Sequence, residues 1–498
     1  MTSFASSGMR NETDYLVVGS GASGLAFVDA LVAETDAVEV TLIDRGRAAG
    51  GHWLHAYPFV RLHSASAYYG VNSLPLGRER IDRVGDNAGF YERATGQEVC
   101  DYFADAADRL TRTGRVRILT GHEHLGPGPH GEQVRDLRRG ALHQVAVRHR
   151  VVDARYLEAS VPATHTPPFD VASGARVVPI NGLPAAARPD CSYTVLGAGK
   201  TAVDACTWLL DNDVAPERIR WIRPRDAWFH HRADFEPLDR VGAIIAGISL
   251  DAEAAAHAED LDDLFDRLAA SGRLFRLDPS RPATMYRGTM LSAGELRALR
   301  QIEDVVRLGR VRRVERDRIV LEHGEARTAR DVLHVDCTAF GLRSAPAQPI
   351  FQPRRIVLQQ VRHNSPTFNA ALVGFVEAHR DEDGDKNRLC PPNPYPSRID
   401  DWPRMMTRTW RTAQQWLSEA DLSAWLAESR LNLLRALPDH LAEPPVQEAL
   451  KRYATHVGAA IERLDQFDGA AGRASRMPAR PVRPRSVTAQ RGVADVDA

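Results

Sequence analysis

The sequence predicts an α/β protein: two βαβ domains built on parallel strands, the first interrupted by the second, and then a helical C-terminal portion. Three observations carry this expectation. Glycine-rich turns at 19–24 and 197–202 each follow a short apolar run and open a helical stretch. A third apolar run, DVLHVDCTAFG at 331–341, reads as a further buried strand. Residues 400–466 read as helical and hold Trp402, Trp410, Trp416 and Trp425, which read as core or interface aromatics.

In the first unit, DYLVVG at 14–19 is continuously apolar, as a parallel strand covered on both faces must be. Leu25, Val28, Leu31 and Val32 then recur at helical spacing from Ala22 to about Glu34, and VEVTLID at 38–44 is a second strand. Gly19 permits a tight turn, Gly21 admits a close backbone approach, and Gly24 lets helix and strand pack closely. Ala22 and Ser23 open the helix, whose free N–H groups and positive dipole end suit a pyrophosphate. Asp44, twenty positions past Gly24 at the end of the next strand, stands where a carboxylate accepts from a ribose diol. Strand, turn, helix and acid together define a Rossmann-like dinucleotide site.

The same order recurs at 191–212 and 218–224. Gly197, Gly199, Lys200, Thr201 and Ala202 form a GxGxxA turn, and Lys200 adds charge close to the expected phosphates. An ATP-binding P-loop would need glycine at 194, where Thr194 stands. Arg223 and Arg225 follow the second strand, in the place an acid would take for NAD. Guanidinium groups there select a 2′-phosphate, hence NADPH; solvated arginines in an arginine-rich chain are the alternative. Residues 115–119 and 142–160 read as a meander closing the first domain, and the proline-rich 161–170 as the crossover to the second. Segments 251–272 and 292–307 read as helical insertions. The expected boundaries are 1–165 with 331–400 for the first domain, 166–330 for the second, 401–466 for the helical region and 467–498 for a disordered basic tail.

Composition narrows the function. A formal net charge of -1 gives no field to gather nucleic acid or an anionic membrane. No apolar run reaches membrane-spanning length and the polar N-terminus lacks a signal-peptide core, so a cytoplasmic protein is expected. The five cysteines are scattered, without the redox pair a disulfide reductase places beside its flavin. His52, His55, His63, His230 and His231 have no carboxylate or thiol at ligand spacing, and no metal is expected.

Past Asp44 the chain reads Gly50-Gly51-His52-Trp53, then YPFVRLH at 57–63 and SASAYYGVNS at 64–73. Here it resembles the class B flavin monooxygenases, the group of flavin-containing and Baeyer–Villiger enzymes, which carry GGxW and YPxxR in that order after the ribose acid. The resemblance covers about 14–380 and is most specific over the first 75 residues. It implies FAD on the first unit and NADPH on the second. Gly51, His52 and Trp53 would lie by the FAD, and Arg61 and His63 near the isoalloxazine as catalytic residues. His63 replaces an acid of the Baeyer–Villiger group, and that family's F-x-G-x-x-x-H fingerprint before the second turn is missing. The run ALVGFVEAH at 371–379 would be the strand returning to the flavin. The implied activity is a monooxygenase using molecular oxygen on a small organic substrate through a flavin C4a-hydroperoxide. The alternatives are an NADPH-dependent flavin reductase without oxygen insertion and a nucleotide-binding regulatory protein.

Overall fold

In the computed structural model, which describes residues 12–85, 87–188, 190–342 and 345–474, the first apolar run becomes the strand Glu12–Val18. It lies in a parallel array ordered Val116–Thr120, Val40–Asp44, Glu12–Val18, Leu142–Asp153, Arg355–Val357. Leu16 and Val17 are wholly buried, as the unbroken apolar pattern requires. The helix Ala22–Ala33 covers this sheet. Residues 116–120 form the outer parallel strand rather than part of the meander. The meander consists of His122–Gly128, Gly131–Asp136 and Leu142–Asp153.

The run at 371–379 is not a strand. It belongs to the helix Pro366–His379, buried from Thr367 to Glu377 and packed on Ala22–Ala33. An apolar run covered on all sides looks alike as strand or helix, and here Pro366 at the first turn and a length of 14 residues decide for helix. Its approach to the neighbouring helix is close: a Cβ on Gly374 would lie 2.6 Å from the Phe27 carbonyl oxygen. The strand that returns to the first sheet is Arg355–Val357 instead.

The second sheet is also parallel, ordered Val305–Val306, Ile219–Ile222, Tyr193–Leu196, Leu333–Asp336, Arg176–Pro179. The expected strand at 331–341 is thus confined to Leu333–Asp336, which belongs to this second sheet. Only beyond it does Gly341–Leu342 pair with Ala159–Ser160, so the outgoing and returning crossovers form one antiparallel ribbon. Of the expected helical insertions, one resolves into Val241–His257 and Leu261–Ala270, starting earlier than the sequence suggested. The other is Ala293–Leu299, followed by the edge strand Val305–Val306.

The C-terminal helices Trp402–Leu417, Ala420–Glu428 and Pro444–Ala474 close the molecule. Pro444–Ala474 packs along Val241–His257, burying Val457, Ala460 and Leu464 in a core shared with Trp402 and Trp410. This helix continues past 467, where the tail was expected to begin. The remainder of that expected tail, 475–498, lies outside the described residues. No helix of the described residues is long and apolar enough to cross a membrane.

Candidate active site

Gly19 adopts φ +111°, a conformation that L side chains rarely take, and ends the first strand in the expected turn. A Cβ on Gly24 would lie 2.0 Å from the Gly19 carbonyl oxygen, so only glycine lets the helix start this close to the strand. Gly21 caps the helix without any side-chain hydrogen bond, which leaves the first-turn N–H groups free for an external acceptor. Asp44 is tied to this turn. Its Oδ2 accepts from the Ser20 backbone N–H at 2.7 Å and hydroxyl at 3.0 Å, and its Oδ1 accepts from Gly46 N–H at 2.7 Å. With about four lone-pair sites on a carboxylate, room remains for roughly one more donor, fewer than a full ribose diol offers.

The Gly50–Gly51 doublet lies on the glycine turn. Gly50 N–H donates to Ser20 O at 3.0 Å, and a Cβ on Gly51 would come within 2.9 Å of Gly21 Cα. The next residues, His52 and Trp53, reach a cavity of about 1050 Å³. Arg61 and His63 line it too, as do Gly197, Gly199, Lys200, Thr201 and Arg225 from the second unit. Gly19, Gly21, Ala22, Ser23, Gly24, Asp44 and Gly51 do not; the first turn sits beside the cavity, linked to it by the 50–53 loop. Two sites far apart in sequence therefore meet in one space.

The second turn opens directly into this space. Gly197 has φ +133°, and a Cβ there would lie 2.6 Å from Cys337 O. Gly199 caps the helix Lys200–Asp211 with no side-chain bond, and a Cβ on it would meet nothing within 4 Å. The Lys200 ammonium is paired with Asp204, whose other oxygen accepts from the Tyr57 hydroxyl. Asp204 thus fixes Lys200 on the cavity wall and ties the second unit to the 57–63 loop.

Arg223 departs from its expected role. It is 4% exposed, stacked 5.2 Å from the Trp221 ring centroid and paired with Asp226 at 2.8 Å, away from the cavity. Residue 223, just past the strand Ile219–Ile222, keeps to the side of Trp221, opposite Ile222, which lines the cavity. Arg225 faces the cavity with Arg287 and Arg310, and none of the three has an ion-pair partner among the described residues. Burial, and then the like charges of Arg310, Arg287 and Arg398, push Arg225 below the ordinary arginine range. An anion would relieve that crowding.

His52 and His63 line the cavity with part of each ring exposed, and the protein packed around them disfavours a charge there. Desolvation holds His52 at about 4, and desolvation reinforced by the charge of Lys200 holds His63 at about 3. Neutral rings at pH 7 offer hydrogen bonds rather than a stored proton. Arg61 donates to the Arg93 carbonyl at 3.1 Å and makes no ion pair among the described residues.

Two cavity residues carried no sequence motif. Gln360, 3% exposed, has neither its Oε1 nor its Nε2 hydrogen-bonded among the described residues. His363 has both ring nitrogens unpartnered, packed by Tyr286 and Tyr395. A buried amide with donor and acceptor both open suits a ligand edge that alternates the two, as the pyrimidine side of an isoalloxazine does. The only cue in the sequence was a polar QQVRHN stretch between an apolar strand and a proline-started helix. Among the described residues no cluster of His, Cys, Asp and Glu is gathered as a metal site. All five cysteines are free, and burial raises the Cys206 and Cys337 thiols far above the reactive range.

The fold and site define an α/β protein with two glycine turns, the second opening on a cavity to which the 50–53 loop links the first. The chain belongs to the family of the mycobacterial proteins Rv2000 of Mycobacterium tuberculosis (strain ATCC 25618 / H37Rv) and Mb2023 of Mycobacterium bovis (strain ATCC BAA-935 / AF2122/97), each bearing the name "Uncharacterized protein". It is 44% identical to each over 464 residues, 92% of this chain and 85% of theirs. No family model matches. Among solved structures it is similar to an oxidized steroid monooxygenase bound to NADP, with a TM-score of 0.47 and 12% identity over 94% of this chain and 99% of that one. A flavin-containing monooxygenase from Stenotrophomonas maltophilia gives 0.44 and 14%, over 74% and 98%. The bacillithiol disulfide reductase of Staphylococcus aureus gives 0.43 and 10%, again over 74% and 98%.

Proposed function

We propose that the protein is an FAD- and NADPH-dependent oxidoreductase, and within that class a monooxygenase acting on a small organic substrate. One observation carries the reading. A single cavity is lined both by the second glycine turn and by Trp53, Arg61 and Gln360, the residues that adjoin the first turn and the returning strand. That is the arrangement needed to bring two ring systems face to face.

The residues fit the cofactors. Gly21, Ala22 and Ser23 would hold the FAD pyrophosphate by N–H groups and Asp44 one ribose hydroxyl, with Gly51, His52, Trp53 and Gln360 as further residues that would hold the cofactor. Trp53 is itself fixed by donating its indole N–H to the Tyr69 hydroxyl at 2.8 Å. Gly197, Gly199 and Thr201 would hold NADPH, and Arg225, Arg310 and Arg287 would take its 2′-phosphate. When bound, the flavin supplies hydride acceptance from the nicotinamide and electron delivery to oxygen. The chain supplies position, water exclusion and charge: Arg61 is the cation free to oppose negative charge at the reacting centre, and neutral His63 hydrogen-bonds beside it. The protein is read as soluble and cytoplasmic, with oxygen and a small molecule as its partners and neither nucleic acid nor membrane.

The purified protein is expected to be yellow, and NADPH added without oxygen is expected to bleach it. On readmitting oxygen with substrate, NADPH consumed should match oxygenated product. Hydrogen peroxide released one-for-one with NADPH and no oxygenated product from any amine, thioether or ketone would support the reductase alternative. A colourless protein that refuses FAD sinks both. Within this reading, Arg225→Ala is expected to raise KM for NADPH about tenfold or more, the worth of one charge-assisted hydrogen bond, and to leave KM for NADH unchanged. Equal losses with both nucleotides would remove the phosphate from Arg225.

A further inference from the structure

We propose that Arg362 is the receptor for a carboxylate on an apolar substrate, whose body occupies the lobe of the cavity walled by the C-terminal helices. The word substrate rests on the oxidoreductase reading above; the binding site does not.

Arg362 is a cation built into the wall and left without a counter-ion. It lies between the strand Arg355–Val357 and the helix Pro366–His379, with its backbone locked by Asn369, which accepts from Arg362 N–H and donates to Arg362 O, each at 2.8 Å. The guanidinium carbon is 4.1 Å from the Phe368 ring centroid and 5.1 Å from that of Trp416. Its Nη1 donates to Asn432 Oδ1 at 2.7 Å. No carboxylate pairs with it among the described residues. Four other deep cations of this chain are answered. Arg232, Arg273 and Lys386 each face a buried carboxylate, and Arg430 donates to the carbonyls of Ala67, Tyr69 and Val71. Burial lowers Arg362 to about 10, which still leaves it charged at neutral pH. Aromatic faces offset part of the desolvation, and the remainder calls for an anion.

The surroundings say what kind of anion. Trp416 and Asn432 line the cavity, and so do the largely apolar Ile245, Met406, Leu434, Leu437, Leu450 and Tyr453, interspersed with the neutral Thr409, Thr412 and Gln414. Leu417 and Leu441 also line it and are exposed, so the lobe meets solvent at an apolar rim. One guanidinium beside one neutral amide matches a singly charged carboxylate, which it can take through two parallel N–H bonds. A phosphate would find its greater charge better met at Arg225, Arg287 and Arg310.

The test titrates decanoate and methyl decanoate into the purified full-length protein and follows tryptophan fluorescence, since Trp416 adjoins the guanidinium. Decanoate is expected to bind about tenfold tighter than its ester or more, consistent with hydrogen bonds to a charged group. Arg362→Gln should bring the acid down to the level of the ester and leave the ester unchanged, and Arg362→Lys should restore part of the difference. Equal binding of acid and ester to the unmodified protein overturns the proposal, and this comparison decides even if the variants do not fold. So does an Arg362→Gln protein that keeps the preference for the acid, including one whose flavin spectrum alone changes. A colourless protein inert to NADPH would sink the oxidoreductase reading and leave the acid–ester comparison intact.

Discussion

Gly24→Ala is expected to yield a protein retaining a tenth or less of its FAD, whereas Gly199→Ala should fold and keep its flavin but show KM for NADPH raised about tenfold. The two positions differ within their turns: Gly24 is the last, where the second turn has Ala202, and Gly199 is the middle glycine, matching Gly21. A methyl on Gly24 lies 2.0 Å from the Gly19 carbonyl oxygen, far inside contact distance. Relief requires moving the start of the helix Ala22–Ala33 off the turn, and that helix is held from behind by Pro366–His379. Overpacking of this kind costs about 1–3 kcal/mol or more, and it displaces the same N–H groups that face the pyrophosphate. A loss of 1.4 kcal/mol is already a factor of about ten in affinity. At Gly199 the backbone is extended, φ -88° and ψ -176°, so alanine is not strained, and its methyl enters open space. Any effect there reports what fills the space when ligand binds. Flavin content by absorbance and KM for NADPH check the pair; a Gly199→Ala enzyme with normal KM removes the nucleotide from the second turn.

That asymmetry also marks where the sequence was informative. Glycine spacing declares itself because its cause is local: a turn, a positive φ and a helix starting a few residues away. The two parallel sheets follow from such signals, whereas Trp53, Arg61 and His63, which line the cavity, were pointed to by the resemblance that GGHW and YPFVR carry. Arg223 and Arg225 both follow the strand's end with the same parity, and only the tertiary contacts of Arg223 with Trp221 and Asp226 separate them. Residues 371–379 were misjudged because full burial erases the periodicity that distinguishes helix from strand. Gln360, Arg362 and His363 were invisible for a different reason. Gln360 and His363 stand apart by side-chain atoms without a hydrogen-bond partner and Arg362 by the lack of a carboxylate, and the neighbours of Arg362, Trp416 and Asn432, lie more than fifty residues along the chain. Pairing across that span belongs to the tertiary structure.

Arg232→Met is expected to destabilise the protein by about 3–5 kcal/mol, the largest single-residue loss of stability anticipated here. Arg232 and Glu295 are 1% and 3% exposed, and Arg232 Nη2 donates to Glu295 Oε2 at 2.7 Å. The same carboxylate closes the cap of the helix Ala293–Leu299 by accepting from Ser292 N–H at 2.7 Å. Through Nη1 the guanidinium also donates to Asn87 Oδ1 at 3.2 Å, a residue of the first unit's loop, so the pair helps join the two units. Burial alone would raise the Glu295 carboxyl, but Lys200, Arg232, Arg93 and the Ser292 N–H outweigh it and hold it at about 2. The sign follows. A carboxyl depressed below its ordinary 4.5 adds stability that is complete above that pH and disappears as pH falls through about 2. Urea midpoints between pH 7 and pH 2 should therefore fall more steeply for the unmodified protein than for Glu295→Gln, which keeps the cap and cannot ionise. Combining Arg232→Met with Glu295→Gln should recover most of the single-variant loss at pH 7, because the buried charge left unpaired by the first change is removed by the second. Additive losses in the double variant would mean that packing of the Arg232 stem, and not the charge, holds this junction.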